Sequence, residues 1–338
     1  MSKTGKQTWS FTNPVYLQST GTVVGPMEGE GPLKDTYDII HEELHCGEAN
    51  WELAERKLMI DAVHTCLQKA GVDQSNVDLF LAGDLLNQNV TGNYVARQLG
   101  MPVLGMFGAC STSMETLATG AALVSSGYAK QTLVAVSSHN CTAERQFRYP
   151  TEYGGQKPST ATFTVTGSGA ALISKEPSPI QIEAATIGKV LDYSIKDPFD
   201  MGTAMAPAAW DTIKTHLEDM GRVPADYDVI ATGDLSSVGT PILRDMMKQD
   251  GYDISEVHKD CGLLVYHSDQ PVFAGGSGCA CSAVVTYGKL VQDLKEGKYK
   301  RVLVVATGAL MSPMMLQQKE SIPGIAHAVV LTKGETQS

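Results

Sequence analysis

Cys110 lies in the stretch GMFGACSTSMETL, residues 105–117. The apolar run 103–107 reads as a short buried strand and Gly108-Ala109 as a tight turn. Residues 111–126 read as a helix of small side chains, with Met114, Leu117, Ala118, Ala121 and Ala122 on one face. Cys110 would then sit between a strand and a helix, at the helix N-terminus. Free amides and the positive end of the macrodipole there lower a thiol pKa and attract anions. The chemistry on offer is a nucleophilic thiol or an anion cradle, and the plain alternative is an inert buried cysteine.

Other residues carry chemical patterns of differing force. His41-Glu42-Glu43-Leu44-His45 matches the two-histidine zinc motif of metalloproteases, but Gly47 would end any helix early, so these read as surface residues near a helix end. Cys279-Ala280-Cys281 lacks a second pair at zinc spacing and reads as small residues packed at a turn. Gly275-Gly276-Ser277-Gly278 lacks the spacing and the lysine of a phosphate loop. Asp84 and Asp234 stand at the ends of apolar runs. Asp84 reads as a helix cap, whereas Asp234 reads equally as a cap or as a calcium contact. Segment 137–158 gathers His139, Arg145, Arg148 and Lys157 among Phe147, Tyr149 and Tyr153, a composition suited either to a planar anion or to a subunit contact.

The chain that must position these groups has 338 residues, a net charge of −11 and 43% hydrophobic residues. Its size calls for two lobes or a double-layered unit, and its acidity argues against a nucleic-acid role. The opening MSKTGKQTWSF has no apolar signal-peptide core, and no run approaches the ~18 apolar residues of a membrane span. Seven scattered cysteines suit a reducing compartment. Residues 1–35, rich in Gly, Pro and Thr, read as short strands and turns covering another element. Helices are expected over Trp51–Ala70, stopped by Gly71, and over Val90–Leu99; buried strands are expected over 78–82 and 132–137.

The second half repeats the first. DLFLAGDL at 78–85 returns as DVIATGDL at 228–235, and GYAKQTLVAV at 127–136 returns as GKYKRVLVVA at 297–306. The offset grows from 150 to 170 residues, which places an insertion of 20 residues in the region 251–276. Each half alternates apolar strands with amphipathic helices, so each is an α/β lobe of one shared topology. Ligands gather beyond the carboxyl ends of such strands. Those ends converge on Cys110 if the lobes pack about a pseudo-twofold axis.

Two α/β halves with a cysteine on the N-terminus of a central helix resemble the thiolase fold, in its β-ketoacyl synthase III branch, over roughly residues 10–335. The resemblance implies a layered αβαβα unit with halves 1–175 and 176–338, and a homodimer. In that branch a cysteine is acylated, assisted by a histidine and an asparagine. Cys110 matches the first. The loop that should carry the histidine reads Gly233-Asp234-Leu235-Ser236, and Ser277 replaces the asparagine. Condensation needs a proton handler and oxyanion donors, and their loss points away from enzymatic activity. The long strings GDLLNQNVTGNYVARQLG (83–100), FGACSTSMET (107–116) and AGGSGCACSAVVT (274–286) resemble more closely a family of non-enzymatic, thiolase-like sporulation proteins.

That resemblance implies binding of dipicolinic acid (pyridine-2,6-dicarboxylic acid), free or as its calcium chelate, and a role in its uptake into the developing spore. It also implies peripheral association with the spore inner membrane beside membrane partners. No resident cofactor is implied. The expected ligand contacts are Cys110, Ser111, Ser236, Ser277 and Gly308, with His139 or Arg148 neutralising charge and Asp234 a candidate calcium contact. The alternatives are an acyl transferase using Cys110 and a scaffold for membrane channel subunits.

Overall fold

The computed structural model describes residues 2–147 and 157–334. Ten strands form the main sheet path: β1 Thr8–Val24, β2 Leu79–Gly83, β3 Val103–Gly105, β4 Gln131–Ser138, β5 Gly167–Ser174, β6 Ile180–Ile187, β7 Val229–Thr232, β8 His258–Asp260, β9 Arg301–Ala309 and β10 Gly324–Lys333. Their order is β8-β7-β9-β10-β6-β1-β5-β4-β2-β3. Strands β1–β5 thus have the order 3-2-4-5-1, and β6–β10 have the same order in their own numbering. The repeat read from sequence is a repeat of topology.

The repeat extends to individual hydrogen bonds. Asp78 accepts the amides of Lys130 and Gln131 at 2.6 and 3.0 Å, and Asp228 accepts those of Lys300 and Arg301 at 2.7 and 2.9 Å. The inserted residues lie between β8 and the helix that begins at Cys279. The first half crosses from β3 to its helix in a few residues, whereas the second also makes the short helix Cys261–Leu264 and the strand Gly276–Ser277.

The helices make three layers around the two half-sheets. α1, Trp51–Ala70, starts at Asn50, whose side chain accepts the Leu53 amide, and ends at left-handed Gly71. With α2, Val90–Leu99, it covers the outer face of the first half. α3, Thr112–Ser126, lies between the half-sheets and touches strands of both. α4, Asn140–Phe147, follows β4. α5, Met201–Met220, and α6, Ser236–Gln249, cover the outer face of the second half. α7, Cys279–Val284, runs on through the π-turn Val285–Leu290 and lies in the central layer. This is an α/β fold layered αβαβα.

Two expectations fail in instructive ways. Residues 1–35 are not a cover of short strands: β1 is a 17-residue strand at the junction of the halves, pairing with both β5 and β6. Its small polar residues are selected by close packing. A Cβ on Gly21 would stand 2.1 Å from the Ala62 carbonyl oxygen of α1. The run 103–107 is not buried either: β3 is an edge strand, with Leu104 44% and Phe107 51% exposed.

Glu28 ties the N-terminal segment to the insertion. Its Oε1 accepts the Tyr266 hydroxyl and, at 2.9 Å, the Thr166 amide, while Oε2 has no partner. Burial pushes this carboxyl up to about 7, against the lowering effect of those bonds. A folded-state pKa above the unfolded value contributes stability below the unfolded pKa that is lost as pH rises through the folded one. Glu28→Gln should therefore gain stability relative to wild type between pH 5 and pH 8, by up to about 2–3 kcal/mol. Urea denaturation at the two pH values checks this, and a pH-independent difference would contradict it.

Candidate functional site

The carboxyl ends of the strands converge as the repeat requires. They line a narrow, partly open pocket whose floor is Cys110 and Ser277. Leu85 follows β2, Phe107 follows β3, and Ala143 and Phe147 project from α4. Met201, at the start of α5, and Ala309 and Met311, at and after the end of β9, come from the second half. Apart from the floor and Thr164, the walls are apolar.

Cys110 is placed by strain and close packing. Ala109 takes a left-handed φ of 51°, which bends the chain immediately before the cysteine. A Cβ on Gly308 would stand 2.4 Å from the Gly108 carbonyl oxygen, so only glycine lets β9 approach the turn. Gly308 is therefore a spacer behind the site rather than a ligand contact.

The helix end is not an open anion cradle. The amides of Ser111, Thr112 and Met114 donate to Gly108, Ala109 and Ser111 carbonyls at 3.1, 3.2 and 3.1 Å. The Ser111 and Thr112 hydroxyls also turn back, to Gly108 and Ala109 carbonyls, each at 2.6 Å. The expected contact through Ser111 is corrected accordingly. The expected lowering of the thiol pKa is corrected too. Burial first, then the nearby Asp234 and Cys279, push Cys110 well above its ordinary value.

Asp234 organises the floor. One carboxylate oxygen accepts the Thr307 hydroxyl at 2.6 Å, and the other accepts the Ser277 hydroxyl and the Gly278 amide, each at 3.0 Å. The Cys110 thiol itself lies 3.9 Å from the Ser277 hydroxyl. Burial raises the pKa of Asp234 against its hydrogen bonds. Its oxygens face inward to partners of the chain itself, a geometry that leaves no open side for calcium. Among the described residues no group of three or more His, Cys, Asp or Glu is gathered to hold a metal ion. Asp84 caps as expected: it accepts the Leu86 and Gly92 amides, each at 2.9 Å, the second in the first turn of α2.

Other expected contacts lie elsewhere. Ser236 is fully buried and donates to the Gly276 carbonyl at 2.9 Å, away from the pocket lining. His139 is also fully buried. Its Nδ1 accepts the Cys141 amide at 3.1 Å, so Nε2 carries the proton and donates to the Leu44 carbonyl at 2.7 Å. Burial lowers its pKa, so it is a neutral tie between loops and brings no charge to the pocket. Arg148, Tyr149 and Tyr153 lie outside the described residues. Arg145 pairs with Glu52, and Lys157 with Glu144 at 2.8 Å. Residues 41–45 form bends and turns, not a helix: His41 pairs with Asp61 at 3.1 Å, and the His45 ring lies 6.0 Å from that of Trp51.

Sequence reasoning missed Leu85, Met201, Ala309 and Met311 as pocket walls. Leu85 and Ala309 were reachable, since each adjoins a strand end that the repeat singles out. Met201 was not, because no sequence pattern says that α5 points its first turn at this pocket.

The thiol geometry sets a reactivity order. Cys141 is half-buried, whereas Cys110 is 7% exposed with a strongly raised pKa. Iodoacetamide at pH 8 should label Cys141 at least about tenfold faster than Cys110, with the difference vanishing in urea. Peptide mass mapping reads this directly, and faster labelling of Cys110 would restore the activated-thiol reading.

Solved structures show the fold. The chain superposes on an acetyl-CoA acetyltransferase from Syntrophomonas wolfei with a TM-score of 0.63 at 11% identity, covering 95% of this chain and 99% of that one. It superposes on 3-oxoacyl-[acyl-carrier-protein] synthase III from Aquifex aeolicus VF5 with a TM-score of 0.59 at 14% identity, covering 94% and 99%. Sequence comparison goes further. The chain is 63% identical over 333 residues, 98% of each chain, to stage V sporulation protein AD of Bacillus subtilis (strain 168). The family described as Stage V sporulation protein AD matches residues 5–332. A thiolase-like fold whose Cys110 is buried over an aspartate-organised floor thus belongs to a sporulation protein: the chain is a member of the stage V sporulation protein AD family.

Proposed function

We propose that this chain is a non-enzymatic binding protein whose pocket takes dipicolinic acid and serves its uptake into the developing spore. The observation that carries the reading is a retained pocket over a disarmed thiol. The pocket at Cys110 persists, while the loop 233–236, where the resemblance to the condensing enzymes expects a histidine, holds none, and Ser277 stands where it expects an asparagine. Phe107, Phe147, Leu85 and Met311 offer apolar surface of a kind that suits an aromatic ring.

Charge favours the calcium chelate over the free dianion. No Lys or Arg lines the pocket among the described residues, and the Asp234 carboxyl lies behind the floor residue Ser277, with Asp260 beside Asp234 and Glu115 near the Gly108 turn. Burial pushes Asp260 to about 6 and Glu115 to about 7. An added dianion meets groups of its own sign, whereas a chelate carries little net charge and brings its own calcium. Titration calorimetry should show saturable binding of dipicolinic acid that strengthens with calcium and weakens about tenfold in Phe147→Ala and Cys110→Ala. Absence of binding by folded wild type under both conditions would move the weight to a scaffold for membrane partners. A stable acyl adduct on Cys110 after incubation with acetyl or malonyl thioesters, seen by intact mass, would move it to acyl transfer.

The same proposal includes a second copy of the chain at β3. The opposite edge, β8, is protected by Lys259, whose ammonium reaches the Tyr299 hydroxyl at 3.2 Å. β3 instead exposes Val103 and Leu104, with Tyr94 and Phe107 beside them. An apolar edge strand can pair with its own copy about a twofold axis, satisfying both sets of backbone groups. No helix among the described residues is long and apolar enough to cross a membrane, so association with the spore inner membrane would be peripheral. Sedimentation should give a dimer for wild type and a monomer for Leu104→Lys; a wild-type monomer at micromolar concentration would refute the pairing.

A further inference from the structure

Beneath the pocket, on the first-half side, lies a second carboxyl group that the binding reading does not use. Glu55 of α1 is fully buried, and Asp84 at the end of β2 is fully buried beside it. Glu55 accepts the Ser137 hydroxyl at 3.0 Å on one oxygen and the Thr142 hydroxyl at 2.7 Å on the other. Thr142 belongs to α4, one residue from the wall residue Ala143. Asp84 accepts the Leu86 amide, one residue from the wall residue Leu85. The two acids therefore tie down the two walls that Leu85 and α4 supply.

The walls are also stitched to each other. Gln146 of α4 donates to the Leu85 carbonyl at 3.1 Å and accepts the Asn87 amide at 3.0 Å. The loop they hold is strained: Gln88 and Asn89 take φ values of 60° and 50° in succession. Two adjacent left-handed non-glycine residues persist only where surrounding contacts over-determine them. Asp84 anchors this loop at both ends, through Leu86 before the strained pair and Gly92 after it.

We propose that Glu55 and Asp84 form a one-proton latch that holds these two pocket walls in place and releases them when the proton leaves. No ion pair among the described residues reaches either carboxyl. The groups facing the pair are each other, the hydroxyls of Thr91, Ser137 and Thr142, and the Cys279 thiol, which burial and these same acids keep protonated. Burial, then the neighbouring Asp84, holds the Glu55 carboxyl above the ordinary range. Two carboxylates sharing such a site cannot both be ionised without drawing in water. The strained loop and the first turns of α4 are the segments that can yield to admit it. The latch rests on the pocket reading for its use, but its test needs no ligand, so the two stand or fall separately.

Hydrogen exchange on ligand-free protein tests it. Protection factors, already corrected for intrinsic exchange, are read at Leu86 and Gly92 and at the core amide of Leu81 between about pH 6 and pH 9. In wild type, protection at Leu86 and Gly92 should fall at least about tenfold across this range while Leu81 holds. In Glu55→Gln, which keeps an acceptor for the hydroxyls and removes the titration, all three should hold. Should that variant not fold, Asp84→Asn replaces it with the same expectation. Flat protection in wild type, an equal fall in the variant, or a parallel fall at Leu81 would overturn the proposal.

Discussion

Asp234 is the constraint on which the pocket floor depends. Its single carboxylate holds Thr307 within β9 and Ser277 and Gly278 before α7, and Ser277 in turn lies 3.9 Å from the Cys110 thiol before α3. With Asp234 itself, these groups come from four separate chain segments. A charged-group hydrogen bond is worth roughly 1.5–3 kcal/mol when buried, so loss of this one residue would leave several hydroxyls and an amide without their acceptor. The same interaction sets the chemistry. A carboxyl beside a thiol opposes thiolate formation, where an imidazole would promote it. One side chain therefore both assembles the floor and opposes ionisation of the thiol beside it.

The two halves use the same position differently. Asp84, the repeat partner of Asp234, bonds to backbone amides of its own loop and helix rather than across the pseudo-twofold axis. Glu55 stands beside it, as Asp260 stands beside Asp234. Each half thus carries a buried acid pair at its second strand, one built into the floor and one behind a wall. The pocket is asymmetric because Cys110 occurs in one half only, with Cys279 of the other half turned to the Ala109 carbonyl at 3.2 Å.

Much of this was legible in the chain. The duplicated DLFLAGDL and DVIATGDL implied one shared topology for both lobes, and Gly71 and Gly127 marked helix ends that the structure caps in the left-handed region. Cys110 and Ser277 could be placed on the pocket floor because each adjoins a strand end. What was not legible depends on neighbours distant in sequence. β1 looks like a loop because its Gly, Ser and Thr answer to α1 and to both flanking strands, a tertiary requirement that overrides propensity. The run 103–107 looks buried because apolar content does not say whether the covering surface belongs to the same chain. His139 and Ser236 looked available because a polar residue at a strand end carries no sign of which way it turns.

The placement of β1 bears on how the chain is made. This strand is synthesised about 150 residues ahead of its partners, Ile180–Ile187 and Gly167–Ser174. At about 5–20 residues per second, it waits roughly 10–30 s on the ribosome before either partner exists. During that interval a 17-residue extended segment has no native ladder to join. Its Ser, Thr, Asn and Gln content and Pro14 lower the tendency of such a segment to pair with a stranger. The polar character that disguises β1 in the sequence is also what lets it survive its own synthesis unpaired.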